Sequence, residues 1–323
     1  MNMIIAEIGN NHEGSFKVAK KMILAAYKAG VDAVKFQTFK TENYVNISEK
    51  KKFSRLKKFE LSKSEFVKLS IYAKQKGLLF ISTPFDLESA NFLKDIVDYF
   101  KISSGDNNYY QLIEKVLSYK KPTIISCGLL NDKGISTLLS HIKRKKFPLK
   151  KITLMHCVSS YPVPPSEANL NAITYMKKKF KLNIGYSDHT VGISAAIIAK
   201  NLGASVIEKH FTLNKKFSSF RDHMLSSDPT EMKILVNELK NHNPILKISN
   251  KNISKSEKKN LASMRRSIYS ITKMKKNERI TENKIKIVRP FGYFHPIDLK
   301  KILNKKLKVD IQENQLITKK ILN

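Results

Sequence analysis

His189 and His210, each closing one of two consecutive apolar runs (183–189 and 205–210), are the first residues here able to do chemistry together. Neutral imidazole suits Mn, Fe, Co or Zn better than Ca, so the pair offers a site for one divalent ion. His156, at the end of the preceding run, is a third candidate. Lys35 and Lys101 sit in earlier runs of the same kind, where a lysine either forms a Schiff base or holds a phosphate or carboxylate. Thr83, Ser104, Ser126 and Ser187 add hydroxyls at the same level. Any one of them could be a strand-end cap, but that reading weakens for the set. Hydroxyls with two cations, and no Gly-x-x-x-x-Gly-Lys loop, point to a small phosphorylated anion rather than a nucleotide. Glu7, the carboxylate of the first run, would be ionised among cations and able to accept a proton or substrate hydroxyls.

Positioning these groups falls to eight short apolar runs, at 4–7, 33–37, 78–83, 99–104, 123–126, 152–156, 183–189 and 205–210, each followed by a helix-length segment. Near-continuous apolar runs suit parallel strands buried on both faces, and eight of them alternating with helices predict a closed (β/α)8 TIM barrel. Active sites of such barrels lie at the C-terminal strand ends, where this chain carries its polar residues. Helices are expected at 16–29 with Gly30 as stop, at 64–76 with Ser64 as N-cap, and at 87–95, 109–119, 134–143, 168–179, 193–201 and 229–239. The long connection 40–62 reads as a lid or surface excursion.

The pattern breaks near residue 240. Residues 241–260 are polar and aperiodic and read as a linker, following a barrel domain at 1–240. As coil, those 20 residues would span roughly 22–27 Å. Residues 261–323 carry strand-like pieces at 267–271, 285–288, 308–311 and 316–317, with a helical piece at 297–304 between them. They form a small C-terminal domain, too small to be very stable undocked.

The formal charge of +33 raises nucleic acid as a partner, yet only seven of the 60 basic residues are Arg. Base readers lean on the guanidinium fork that Lys lacks, so the Lys excess is read as composition bias, with no nucleic acid as partner. No apolar run approaches the ~18 residues that span a bilayer, so no membrane is expected. No leader is evident. Cys127 and Cys157 form no spaced framework, and a reducing cytoplasmic location is expected.

Taken in order, the stretches Ala6-Glu7-Ile8-Gly9-Asn10-Asn11-His12-Glu13-Gly14, Val34-Lys35-Phe36-Gln37-Thr38 and Phe80-Ile81-Ser82-Thr83-Pro84-Phe85 resemble the sialic acid (nonulosonate) synthase family. Lys101-Ile102-Ser103-Ser104-Gly105, Tyr186-Ser187-Asp188-His189-Thr190 and Glu208-Lys209-His210-Phe211-Thr212 extend the likeness. The tail, with Val288-Arg289-Pro290 and Asp310-Ile311, is similar to the family's antifreeze-like β-clip (SAF) domain. The resemblance implies an enzyme that condenses phosphoenolpyruvate with N-acetylmannosamine or a related acetamido hexose. It implies a divalent metal, Mn2+ with Mg2+ or Co2+ as alternatives, on His189 and His210. Phosphoenolpyruvate would be held by Lys35, Thr83, Lys101, Ser104, Ser126 and Ser187. The sugar would meet Gln37, Asp106, Tyr161, Asp222 and Arg289, with Glu7 as the first-strand carboxylate of the active site. A domain-swapped homodimer is implied, Arg289 of one chain entering the other's sugar pocket.

Asp106 stands where many members have Glu, Ser159 where Asn is frequent, and Phe220-Arg221-Asp222-His223 where a Gly-Pro-Asp-like turn is usual. All three departures fall on the sugar side and leave the acceptor open. A sugar 6-phosphate is one alternative, which an extra cation such as Arg221 would favour. A 3-deoxy-heptulosonate-type aldol synthase is another, and a sugar- or nucleic-acid-binding protein without activity is a third.

Overall fold

A computed structural model describes residues 3–245 and 252–323. The eight expected strands are β1 (Met3–Gly9), β2 (Ala33–Thr38), β3 (Leu79–Pro84), β4 (Tyr99–Ile102), β5 (Thr123–Ser126), β6 (Ile152–His156), β7 (Asn183–Asp188) and β8 (Val206–His210). All pair in parallel and in sequence order, and β1 pairs with β8 to close the barrel.

Successive strand side chains point to opposite faces, so each strand serves two layers. Inward-facing Met3, Ile5, Ile81, Ile124, Met155 and Val206 pack a small interior cluster. Outward-facing Ile4, Ala6, Ile8, Val34, Phe36 and Phe80 join the helices in a larger one. Two residues further along the same inner faces, the apolar filling gives way to Glu7, Ser126 and Glu208. The glycine of β7 marks how closely the interior is packed. A Cβ on Gly185 would lie 2.8 Å from the Val206 carbonyl oxygen and 3.0 Å from the Val206 Cβ.

Several helices begin where a side-chain cap dictates. The helix Phe16–Ala29 starts at Ser15, whose hydroxyl accepts from the Val18 N–H, and stops at Gly30 with φ +86°. The helix Lys63–Gln75 differs from expectation at its start. Its N-cap is Ser62 rather than Ser64, because Glu65 lies three residues beyond Ser62 and closes a capping box. The connection 40–62 is structured: it holds the helices Thr41–Tyr44 and Lys50–Phe59, and its Val45, Leu56 and Phe59 pack with Phe39 and Phe85.

The chain divides into compact units Met1–Ile245 and Leu246–Asn323. The expected 20-residue coil is corrected at both ends. One helix runs Pro229–Ile245, and another, Lys255–Met264, is opened by a Ser254–Glu257 capping box, so the coil span computed for 241–260 does not apply. The middle of that segment, 246–251, lies outside the described residues. In the second unit, β9 (Ser267–Ser270) and β10 (Ile285–Val288) pair antiparallel over a core of Ile268, Met274, Ile280, Leu307, Ile311 and Ile317. The pieces at 308–311 and 316–317 are isolated bridges to Met274 and Tyr269 rather than strands. Among the described residues no helix is long and apolar enough to cross a membrane.

Candidate active site

The C-terminal mouth of the barrel holds a pocket of about 310 Å³ lined from all eight strands or the loops after them. At its floor lies a buried charge layer. Lys35, from β2, places Nζ 3.0 Å from Glu7 Oε2, 3.5 Å from Glu208 Oε1 and 3.4 Å from Thr83 Oγ1. Lys101, from β4, donates to both oxygens of Glu208 at 2.8 Å, and Ser187 Oγ donates to Glu208 Oε1 at 2.8 Å. Glu7 also accepts from Gln37 Nε2 at 3.2 Å, and Gln37 in turn accepts from Asn10.

Two carboxylates among the same lysines are driven apart. Burial pushes the Glu7 carboxyl up, and Lys35 offsets this only in part. Burial acts on Glu208 in the same sense, but Lys101 and Lys35 outweigh it and hold Glu208 well below the usual carboxylate range. Glu208 is therefore the fixed anion of the floor, and Glu7 the carboxyl suited to exchange a proton.

Serines line the same pocket. Ser104, Ser126 and Ser159 line the pocket beside Lys101, and Ser104 Oγ lies 3.0 Å from Cys157 Sγ. The loop after β5 can enter this cluster only as glycine. A Cβ on Gly128 would fall 2.5 Å from Ser159 Oγ and 2.6 Å from Ser104 Oγ. Ser159 Oγ is buried without a hydrogen-bond partner, free to donate to an oxyanion. Asp106 accepts a hydrogen bond from Ser103, which lines the pocket.

His189 and His210 face each other with ring centroids 5.3 Å apart. His189 Nδ1 donates to the Val158 carbonyl at 2.8 Å, which leaves Nε2 with its lone pair. Burial pushes His189 down to about 4 and His210 well below its ordinary value, so both rings are neutral at neutral pH. His210 Nδ1 is buried without a hydrogen-bond partner, and Asp222 Oδ2 stands 4.0 Å from it. Two neutral imidazoles, one of them oriented by a backbone carbonyl and the other with an orphaned nitrogen, fit a divalent ion. Among the described residues no cluster of three or more His, Cys, Asp or Glu groups is arranged for a metal, so the other positions would fall to water or substrate oxygens. Tyr161 lies tilted against His189 with ring centroids 4.2 Å apart, and edge-on to His210 at 6.0 Å.

The side chains one step before each histidine point the other way. There Lys209 Nζ pairs with Asp188 Oδ2 at 2.9 Å, both groups fully buried, and donates to the Thr190 carbonyl at 2.5 Å. The loop bearing Arg221 and Asp222 is pinned as well. His223 bridges Thr212 Oγ1 at 2.7 Å and Glu13 Oε1 at 3.1 Å, and Asn11 Nδ2 donates to the Phe211 carbonyl and to Ser226 Oγ.

Glu7, Lys35, Gln37, Thr83, Lys101, Ser104, Ser126, Tyr161, Ser187, His189, His210 and Asp222 thus line one pocket. Arg289 lies exposed at the end of β10 in the second unit. His156 is not with the other histidines: it bonds the Ala168 carbonyl at 2.9 Å and stacks on Tyr186. Sequence reasoning missed Glu208, although its spacing from His210 was a usable signal, since residues two apart on a strand share a face. It also missed Tyr44, Lys52 and Arg55, which come from the connection 40–62 and have no strand period to expose them.

The NeuB family matches residues 22–251 and the SAF domain residues 265–322. The N,N'-diacetyllegionaminic acid synthase of Campylobacter jejuni is 36% identical over 98% of this chain and 98% of its own. The pseudaminic acid synthase of the same organism is 34% identical over 96% and 93%. Among solved structures, the N-acetylneuraminic acid (sialic acid) synthetase of Leptospira borgpetersenii superposes with a TM-score of 0.75 at 36% identity, covering 80% of this chain and 90% of that one.

Proposed function

The chain belongs to the NeuB family, and from that membership we propose that it joins phosphoenolpyruvate to N-acetylmannosamine or a related acetamido hexose, giving a nonulosonic acid and free phosphate. The observation that carries this reading is the convergence of two buried lysines, a serine cluster and two neutral histidines in one pocket. A 3-deoxy-heptulosonate-type synthase is less well supported, because the antifreeze-like tail is no part of that reading. The synthase names of the relatives likewise favour an enzyme over a binding protein.

Each residue then has a task. Lys35 and Lys101, both buried, neutralise the carboxylate and phosphate of phosphoenolpyruvate, with hydroxyls of Thr83, Ser104, Ser126 and Ser187 as further donors. A divalent ion, Mn2+ or else Mg2+ or Co2+, would be held by His189 and His210 and would supply Lewis acidity to the open-chain aldehyde. Gln37, Tyr161 and Asp222 would orient the sugar, and Asp106, outside the pocket lining, would act on it through Ser103. The enol C3 forms a bond to the aldehyde carbon, whose oxygen takes up a proton, and positive charge develops at C2. Glu7, 3.0 Å from Lys35, stabilises that charge. Its raised carboxyl can also take the proton released when water adds at C2. The hydrated C2 then expels phosphate by C–O cleavage and becomes the ketone. Arg289, from the SAF domain, would complete the sugar pocket of a partner chain in a homodimer.

The test is a screen of acetamido hexoses with phosphoenolpyruvate and Mn2+, read by phosphate release with and without chelator. Acceptor-dependent release that chelator abolishes is the expected result. Release without any acceptor requirement, or full turnover in chelator by a variant lacking both histidines, would refute the reading.

A further inference from the structure

Asp222 reaches the pocket from a very short support. It begins a helix of a single turn, Asp222–Leu225, which has no side-chain cap at its start. Such a turn has little stability of its own, because closing the first hydrogen bond fixes the backbone of about three residues. Asp222 is nevertheless buried and lines the pocket. What holds it there must come from elsewhere in the chain.

The support comes from the loop after β1. Glu13 Oε1 accepts hydrogen bonds from His223 Nε2 at 3.1 Å and from Ser218 Oγ, so one oxygen ties the chain on both sides of Asp222. Ser218 Oγ in turn accepts from the Phe220 N–H at 3.0 Å. His223 is fully buried, with the Phe217 and Phe220 rings at 5.1 and 6.0 Å, and its Nδ1 meets Thr212 Oγ1 at 2.7 Å. A second arm ends on the Asp222 backbone. Asn11 Nδ2 donates to Ser226 Oγ at 3.0 Å, and that hydroxyl donates to the Asp222 carbonyl at 2.5 Å. Glu13 takes up its place with φ +48°, in the left-handed region that residues other than glycine rarely enter. Strain of that kind persists where its surroundings over-determine it, and it collects at functional sites.

A plain structural brace is the alternative, and its loss would fall on the whole barrel mouth. The geometry is narrower than that. Both arms end beside one pocket residue, while Lys35 and Lys101 are held separately by Glu7 and Glu208. Glu13, His223 and Thr212 themselves lie outside the pocket lining.

Resting on the synthase reading above, in which Asp222 meets the sugar, we infer that Glu13 and His223 are positioning residues for the acceptor. From outside the pocket they set the Asp222 carboxylate where the sugar binds, and they have no part in holding phosphoenolpyruvate.

The experiment compares the wild-type chain with Glu13→Ala, Glu13→Gln, Asp222→Ala and the double variant Glu13→Ala/Asp222→Ala. Each is assayed with phosphoenolpyruvate, Mn2+ and the acetamido hexose that the screen above turns over fastest. Glu13→Ala should raise KM for the sugar about tenfold, the loss of one charge-assisted hydrogen bond, and leave KM for phosphoenolpyruvate within about twofold. Glu13→Gln, whose amide oxygen still accepts from both partners, should recover most of that loss. In the Asp222→Ala background, Glu13→Ala should change the sugar KM little, because the two residues act as a unit. Ser218→Ala, a change at an exposed position, should raise the sugar KM in the same sense by about threefold, since it frees only one side of the loop. Amide hydrogen exchange gives a readout that needs no turnover: residues 218–226 should exchange faster in Glu13→Ala and at the wild-type rate in Glu13→Gln. Equal rises in both KM values, additive effects in the double variant, an unchanged sugar KM in Ser218→Ala or unchanged exchange in Glu13→Ala would each overturn the inference and leave the synthase reading intact. A wild-type chain that turns over none of the acetamido hexoses would refute the synthase reading and the positioning role with it.

Discussion

Glu208 takes Lys101 on both of its carboxylate oxygens at 2.8 Å, the tightest ion pair on the pocket floor. Replacing Glu208 with Gln would leave two buried ammonium groups balanced by Glu7 alone. Breaking such a pair costs about 3–5 kcal/mol. A bound anion should restore much of this, so phosphoenolpyruvate should raise the Tm of Glu208→Gln by more than it raises that of the wild type. Equal shifts in a thermal melt would show that Glu208 does not hold the lysines' charge in check.

Lys35 and Lys101 are expected to act on one substrate more than the other. Changing either to Met removes a charge-assisted contact of roughly 1.5–3 kcal/mol, which is on the order of a tenfold to hundredfold rise in KM. Steady-state kinetics should find that rise for phosphoenolpyruvate and a smaller one for the sugar. Equal effects on both would move the lysines away from the enol. Borohydride should trap no adduct with either lysine.

A third expectation concerns pH and His12. This ring is buried, accepts the Gly14 N–H on Nδ1 at 3.0 Å, and is pushed by burial down to about 4. The unfolded chain binds a proton there near pH 6.5, and the folded chain does not until about 4. Its contribution to stability is thus fully present above pH 6.5 and is lost as pH falls toward 4, by about 3 kcal/mol. His12→Asn keeps an acceptor for Gly14 and removes that loss. Urea unfolding between pH 4 and 7 should show a shallower pH dependence in the variant, and an unchanged slope would contradict the assignment.

The proposed homodimer gives a fourth. An Arg289→Ala chain mixed with a Lys101→Ala chain should regain activity at one of the two sites in the heterodimer, because one barrel then pairs with an intact tail. Heterodimers verified by mass and still inactive would mean that each tail serves its own barrel or none.

Much of this was legible in the sequence, for a physical reason that also marks where reading stops. A strand buried on both faces must be apolar until it reaches the barrel mouth, so Lys101 in a run ending at Ile102 and His210 closing β8 announce themselves. Gly30 ended its helix as expected because its αL cap is a local matter. Ser64 was mistaken for Ser62 because two serines compete locally and Glu65 selects between them. Arg55 and Lys52 were invisible because their approach to the pocket depends on tertiary packing of Leu56 and Phe59. Glu208 was passed over because its importance lies in its partners, Lys101 and Ser187, more than 20 residues away in the chain.

The Asp188–Lys209 pair lies on the far side of β7 and β8 from the two histidines, one residue before each. Because strand side chains alternate, slipping either strand by a single residue would drive a histidine into the apolar layer and a charged group into the pocket. The pair therefore acts as an alignment key for the two rings. An arriving ion would meet a spacing settled when the chain folded and would not have to draw two mobile side chains together. Its affinity would be spent on the ion and the sugar rather than on ordering the protein.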